Sequence, residues 1–441
     1  MKRNWLLVMV VAAPCLVGCG KSPEISKVNK RSVEVTRGIA ATPLEFSKDG
    51  SAGFKQLKAE EIGLIPRGKI SKGKQYEKEL GNPGLAAGDV DGDGLCDLFV
   101  CGSGAPNVLY RNLGGWKFED ITSSAGVDCS GRNLAGAVFG DIDGDGDLDL
   151  IVTSLESRNS LFLNDGKGQF TEQKSFPWKT FKFGGSITPA LGDIDGDGDL
   201  DLFVTGFRNK TPAEVHSPVE SKRLREEGME KIRAGVAAST EFHEHYTTEW
   251  VVQNGATNLT FAPKGTPSAL YLNLGSGKFR VVNDSDQRFF DEDGKALPLP
   301  HDFSHEAVFR DVDLDGDLDL YVCNDFAAPD RFWINNGTGV FRLAPRLTLR
   351  RTSQFSMGVD FGDINRDGLP DFFTVDMLSR SHTRRKRQMG AMAPTPVIIG
   401  QVELRPQIMQ NTLFLNQGDG TFSEIAQFAA SAQSKPRESP Q

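Results

Sequence analysis

The chain has 441 residues, of which 38% are hydrophobic and 25% charged, with 48 Gly and 22 Pro. This length allows one large domain or two ordinary ones, and a glycine-rich, modestly apolar composition favours short strands and turns over long helices. A formal charge of −9 speaks against a nucleic-acid partner, because an acidic surface repels a phosphate backbone.

The first residues read as an export signal. Lys2 and Arg3 give a charged start, and the apolar run Trp5 to Val17 is too short for a stable membrane anchor. Leu16-Val17-Gly18-Cys19 is similar to the lipobox of bacterial lipoproteins. That resemblance implies cleavage before Cys19, a lipid on its thiol, and a place in the bacterial cell envelope, on its periplasmic or surface face. Residues 1–18 are then the signal and residues 19–50, polar and without periodic pattern, a flexible tether. Gly20-Lys21-Ser22 looks like the end of a phosphate loop, but the glycine needed five residues earlier is Cys15 and no strand precedes it.

From residue 51 the chain becomes repetitive. Asp89 to Asp97 reads DVDGDGLCD. Asp141 to Asp149 and Asp193 to Asp201 both read DIDGDGDLD, Asp311 to Asp319 reads DVDLDGDLD, and Asp363 to Asp371 reads DINRDGLPD. Oxygen ligands at loop positions 1, 3, 5 and 9, with the backbone carbonyl of position 7, suit a hard cation that takes six to eight oxygens, and Gly at position 6 supplies the positive φ of the turn. The candidate ligands are Asp89, Asp91, Asp93, Leu95 and Asp97; Asp141, Asp143, Asp145, Asp147 and Asp149; and Asp193, Asp195, Asp197, Asp199 and Asp201. The fourth and fifth sets are Asp311, Asp313, Asp315, Asp317 and Asp319, and Asp363, Asn365, Asp367, Leu369 and Asp371. At Leu95, Asp147, Asp199, Asp317 and Leu369 the expected ligand is the carbonyl. The distal Glu of an EF-hand is lacking. Five uncompensated acidic turns in register would repel themselves, so about five structural Ca²⁺ sites are expected.

The loops begin at 89, 141, 193, 311 and 363, three of the four steps being 52 residues. Each loop is followed by a strand-like run such as Leu148 to Thr153. A third run ends in Asn (Asn164, Asn273, Asn335, Asn416), and a fourth starts at an aromatic residue (Phe118, Phe170, Phe279, Phe341, Phe422). Four short strands in a unit of about 50 residues predict an all-β fold, a β-propeller of four-stranded blades over residues 51–428, with a stacked solenoid as the alternative. Five units are clear. A surplus fourth-strand segment, Phe54 to Leu57, leaves six or seven blades open.

Two inserts, 207–267 and 378–410, break the period. Residues 214–235 carry Leu, Met and Ile at helical spacing, with Gly only at 228, and predict a helix on the propeller rim; a decayed extra blade is the competing reading. The second insert carries Arg384-Arg385-Lys386-Arg387, either a solvated face or a patch for an acidic ligand. Residues 429–441 read as a disordered tail. Cys96, Cys101, Cys129 and Cys323 could pair in an exported protein, but spacing fixes no connectivity.

The chain resembles the FG-GAP or VCBS repeat proteins, whose blades carry such calcium loops, and Phe139-Gly140 and Phe361-Gly362 match the family's FG. Phe118 to Val127 and Asn411 to Phe422 resemble the branch of the cartilage acidic and ASPIC/UnbV-type proteins, without the C-terminal module of its longer members. The resemblance implies adhesion or binding, with protein or polysaccharide as partner and the membrane touched only through the lipid. His243-Glu244-His245 lacks the spacing of a zinc-protease motif, His301 and His305 flank a loop, and no G-x-S-x-G is present. The sequence therefore names no catalytic residue. An enzyme acting on polysaccharide, with a site scattered over several blades, and a structural subunit of a surface complex are the alternatives.

Overall fold

In each repeat an apolar run precedes the acidic loop and another follows it, and the two pair across the loop as a hairpin. The computed structural model describes residues 56–65, 84–102, 105–155, 157–179, 184–209, 216–253, 256–326, 328–377 and 405–429. The export signal, the tether, the basic run 384–387 and the tail beyond residue 429 lie outside these residues.

Sheet 1 contains β1 (Leu85–Gly88), β2 (Asp97–Val100), β3 (Val108–Asn112) and β4 (Phe118–Asp120). Sheet 2 contains β5 (Leu134–Gly140), β6 (Asp149–Ser154), β7 (Ser160–Asn164) and β8 (Phe170–Glu172). Sheet 3 starts with β9 (Gly184–Gly192) and β10 (Asp201–Asn209). A separate hairpin of β11 (Tyr246–Gln253) and β12 (Ala256–Pro263) intervenes before β13 (Ala269–Asn273) and β14 (Phe279–Val281) complete it. Sheet 4 holds β15 (Phe289–Phe290), β16 (Phe303–Arg310), β17 (Asp319–Asp325), β18 (Arg331–Asn335) and β19 (Phe341–Leu343), with β15 added parallel to β19. In the last repeat β20 (Thr352–Ser353) pairs parallel with β23 (Gln407–Ile408). Sheet 5 is β21 (Ser356–Gly362), β22 (Asp371–Asp376), β24 (Thr412–Asn416) and β25 (Phe422–Glu424). All five four-stranded meanders are antiparallel, and in each the last loop Asp stands opposite the final residue of the first strand: Gly88, Gly140, Gly192, Arg310 and Gly362. This is the expected nearly all-β, propeller-like series.

The first strands lie side by side in chain order, β1 on β5, β5 on β9, β9 on β16 and β16 on β21. Alternation along the second strand explains the packing, since successive side chains face opposite sides of a sheet. Phe99 and Cys101 face sheet 2 and join Leu150 and Val152 in one buried cluster. Ile151 faces sheet 3 and meets Leu202 and Val204. Phe203 meets Leu320 and Val322, and Tyr321 and Cys323 meet Phe372. Position 2 of each loop is sealed by the next sheet: Val90, Ile142, Ile194 and Val312 are at most 3% exposed, whereas Ile364 in sheet 5 is 53% exposed.

The start of the described chain repeats a joint seen elsewhere. Helix α1 (Ala59–Ile62) and Gly63-Leu64 pack on sheet 1 as Ile121 to Val127 pack on sheet 2, with Gly63 against the Phe118 carbonyl and Gly126 against the Phe170 carbonyl. Tyr110 donates to the Ile65 carbonyl at 2.7 Å. Residues 56–58 form no strand, and Phe54 lies outside the described residues.

In the large insert the expected helix is α2 (Pro218–Arg233). Ser217 caps it in a capping box with Glu220, and Pro218 starts it. Helix α3 (Thr240–His245) follows. Leu224, Met229 and Ile232 pack on Phe242, Tyr246 and Leu259. Gly228 is the one residue of α2 that a helix disfavours, and a Cβ there would collide with the Phe242 ring. Two helices and a two-stranded hairpin stand where a decayed blade would show a four-stranded sheet. Among the described residues no helix is long and apolar enough to cross a membrane.

Candidate metal centres

The five acidic loops fold by the same hydrogen bonds. The carboxylate at position 1 accepts the position 6 glycine amide: Gly94 to Asp89 at 2.8 Å, Gly146 to Asp141 at 3.1 Å, Gly198 to Asp193 at 3.0 Å, Gly316 to Asp311 at 3.1 Å and Gly368 to Asp363 at 3.0 Å. The position 5 carboxylate accepts the position 7 amide, as Asp145 does from Asp147 at 3.0 Å and Asp315 from Asp317 at 2.9 Å. These bonds wrap the backbone around the acids and hold positions 1, 3 and 5 close together.

Position 9 has a structural task as well. In loop 2, Asp149 accepts the Ile142 amide on one oxygen (3.0 Å) and the Asn164 amide on the other (2.8 Å). Asp97, Asp201, Asp319 and Asp371 repeat the pattern. Burial and the neighbouring acids push Asp97 and Asp149 up to about 6 and Asp201 and Asp319 up to about 7, against the pull of their two amide donors. Burial likewise raises Asp143, Asp195 and Asp313.

Position 7 separates from the other ligand positions. The Asp147 and Asp317 carboxylates lie where a Cβ on Gly166 or Gly337 would sit, and the Leu95 and Leu369 side chains reach the same turn beside Gly114 and Gly418. These side chains therefore serve the turn between the third and fourth strands, and only the backbone of position 7 is left for a cation, as its variable identity suggests.

Carboxylate oxygens converge within 4.8 Å of one another in four loops: Asp89, Asp91 and Asp97; Asp141, Asp143 and Asp149; Asp193, Asp195 and Asp197; Asp311, Asp313 and Asp315. Loops 2, 3 and 4 each leave one buried carboxylate oxygen without a hydrogen-bond partner, Asp143 Oδ1, Asp195 Oδ1 and Asp311 Oδ1. Clustered acids of this kind fit a hard divalent cation, which would supply the missing partner. Loop 5 differs, because Asn365 turns its amide donor to Asp367 at 2.8 Å. Loop 1 differs too: Arg111 pairs with Asp91 at 2.5 Å and approaches Asp93 at 3.7 Å.

The asparagine that ends each third strand joins one sheet to the next. Its amide donates to the position 8 carbonyl of its own loop and, in sheets 2 to 5, to the position 2 carbonyl of the preceding loop. Asn164 reaches Val90 at 2.8 Å, Asn273 reaches Ile142 at 2.9 Å, Asn335 reaches Ile194 at 2.8 Å and Asn416 reaches Val312 at 3.2 Å. The sequence displayed these residues as a period marker; their role needs the fold.

The remaining candidates do not gather into a second site. His305 packs against Phe207 with the rings tilted at 59° and their centroids 4.3 Å apart, and lies 3.6 Å from Asp325. Burial lowers His301, whose Nδ1 is 3.2 Å from the Gly265 carbonyl. His243 is exposed and His245 buried on α3, and no grouping of possible metal ligands among the described residues includes either. Cys96, Cys101, Cys129 and Cys323 are free thiols; Cys101, Cys129 and Cys323 are buried, and burial pushes Cys129 up to about 11. Two acids escaped the sequence reading, Asp330, which is buried, and Glu306, which is half-buried. Glu306 accepts the Val359 amide between sheets 4 and 5 and is pushed by burial to about 7. Asp330 accepts from Tyr321, Ser356 and the Asn324 amide and is likewise pushed to about 7. Neither carries a motif.

A family model agrees with this geometry. The FG-GAP-like repeat family matches residues 89–152, 141–204 and 311–374, each match running from one loop to the strand that follows the next loop. The chain is similar to cartilage acidic protein 1 of Xenopus tropicalis, 27% identical over 155 residues, which is 34% of this chain and 24% of that protein. It is 26% identical to the Homo sapiens protein of the same name over 145 residues, 32% of this chain and 22% of that one. The matched part thus spans under a quarter of these relatives' length. Among solved structures, an Agrocybe aegerita lectin described as recognising non-reducing terminal N-acetylglucosamine aligns over 78% of this chain and 79% of its own, with 15% identity and a TM-score of 0.32. The V. cholerae biofilm matrix protein Bap1 aligns over 78% of this chain and 38% of its own, with 13% identity and a TM-score of 0.31.

Proposed function

We propose, from the premise that this is a chain of FG-GAP-like repeats, that the protein is a calcium-stabilised binding module held at a bacterial envelope. The observation that carries the calcium is the buried, unpartnered carboxylate oxygen in each of loops 2, 3 and 4. Asp141, Asp143, Asp145 and Asp149 would hold one ion, with the carbonyl of Asp147; the matching residues of the other loops would hold the rest. The ion supplies charge neutralisation and a cross-brace between the first two strands of a sheet, and no reaction is assigned to it. Repeats of this family generally serve as protein-binding surfaces, so a protein is the first ligand class to test, with polysaccharide second.

The direct test is a count of bound metal after dialysis against 1 mM Ca²⁺. Three to five Ca²⁺ per chain are expected, and none in a variant that carries Ala at position 3 of all five loops together. Wild-type protein that carries less than one ion would sink the reading. The anchor is tested separately: Cys19→Ser is expected to move the protein from the membrane fraction to the soluble one, and retention in the membrane would remove the lipid from the proposal.

A further inference from the structure

We propose that Arg111 acts as a built-in counter-cation that makes loop 1 a weaker cation site than loops 2, 3 and 4. The proposal rests on the calcium reading of the loops. Arg111 sits on β3, one residue before the joining asparagine. The same position holds Leu163, Leu272, Ile334 and Leu415 in the other sheets. In sheets 2 to 4 those side chains belong to the apolar clusters between sheets. In β3, Tyr110 faces residues 56–65 and Leu109 faces sheet 2, so by alternation Arg111 lies on the sheet 2 side, where a charged side chain replaces the apolar one and pairs with the loop.

Its guanidinium meets Asp91, whose side chain is only 8% exposed, at 2.5 Å and reaches Asp93 at 3.7 Å. These are ligand positions 3 and 5. The other oxygen of Asp91 accepts the Asp93 amide at 3.3 Å, so the position 3 carboxylate of loop 1 is engaged on both oxygens, whereas Asp143 and Asp195 each keep a buried oxygen without a partner. A fixed positive charge within a few ångströms of an ion's place opposes a divalent cation and engages a ligand that the cation would need. The affinity of loop 1 is expected to be at least about tenfold below that of loop 2. The same guanidinium keeps loop 1 neutralised when the cation is withdrawn, so sheet 1 responds less to chelation than sheets 2, 3 and 4.

The test counts bound Ca²⁺ by equilibrium dialysis at a free concentration that fills loop 2 but not loop 1, in wild type, Arg111→Gln, Asp91→Asn and Asp143→Asn. Arg111→Gln is expected to bind one ion more than wild type. Asp91→Asn is expected to bind the same number as wild type, and Asp143→Asn one fewer. The proposal is overturned if Asp91→Asn loses an ion as Asp143→Asn does, or if Arg111→Gln matches wild type in number and affinity. Should Arg111→Gln not fold, the comparison of Asp91→Asn with Asp143→Asn decides alone. Absence of Ca²⁺ from wild type and every variant overturns the calcium reading itself, a result distinguishable from five sites of equal strength, which overturns only the role of Arg111.

Discussion

Excess EDTA at pH 7.5 is expected to lower the melting temperature by roughly 5–10 °C. An exposed site of modest affinity, with a Kd of about 0.1 mM, adds roughly 1.4 kcal/mol at about 1 mM Ca²⁺. Three to five independent sites then add about 4–7 kcal/mol, a large share of the net stability of a domain, and a chain of this size converts each kcal/mol into roughly 1–2 °C. The pH dependence has a definite sign. Asp97, Asp149, Asp201 and Asp319 titrate at about 6 to 7 in the folded, cation-free protein. The folded state therefore holds more protons than the unfolded one between about pH 4 and 7, and its stability falls as pH rises through that window. Glu306 and Asp330 act in the same direction. The gap between Ca²⁺ and EDTA should be widest at pH 7 and above and narrow towards pH 5, as protons take over part of the neutralisation. Equal melting temperatures with and without chelator at pH 7.5 would contradict the whole scheme.

Two neighbouring acids of loop 4 should behave oppositely. Asp319→Asn is expected to cost about 3 kcal/mol in urea unfolding, because each carboxylate oxygen accepts a backbone amide, from Val312 at 3.2 Å and from Asn335 at 3.0 Å. Any orientation of the new amide sets a donor against one of those donors in a buried place. Asp317→Asn should stay within about 0.5 kcal/mol, since its side chain lies at the turn beside Gly337, outside the ring of ligands. Carrying out both measurements in chelator separates hydrogen bonding from cation loss. A cost for Asp317→Asn equal to that for Asp319→Asn would show that the loop acids share one electrostatic role and that position 9 is not a special tie.

The contrast shows what was legible beforehand. Acids at positions 1, 3, 5 and 9 and glycine at 6 are spaced along one loop, so local geometry suffices to read them, and the 52-residue step places the sheets. Helix α2 was legible for the same reason, through Leu224, Met229 and Ile232 on one face. Arg111 was not legible, because it meets Asp91 across a strand pair, 20 residues away in sequence. Asp330 and Glu306 were hidden because nothing local distinguishes a buried carboxylate from an exposed one. Position 7 was assigned to its carbonyl by analogy of spacing; that its side chain props a neighbouring turn follows only from the third and fourth strands folding back over the loop. Ile364 shares its sequence context with Val90 and Ile142, yet stands open to solvent because, among the described residues, no later sheet covers it.

The joining asparagines also give the molecule a temporal order. Asn164, Asn273, Asn335 and Asn416 each donate to a carbonyl that lies earlier in the chain. A polypeptide emerging from the ribosome or a translocon can thus fasten each sheet as soon as its third strand appears, onto a loop that already exists. No such joint waits for residues still to be made. Within a sheet, the longest wait between the acidic loop and the asparagine falls in sheet 3, where Asn273 follows Asp201 by 72 residues, after the helical insert. A pause there would leave β9 and β10 extended with one edge unpaired, which makes this the point in synthesis at which the growing chain has most need of protection.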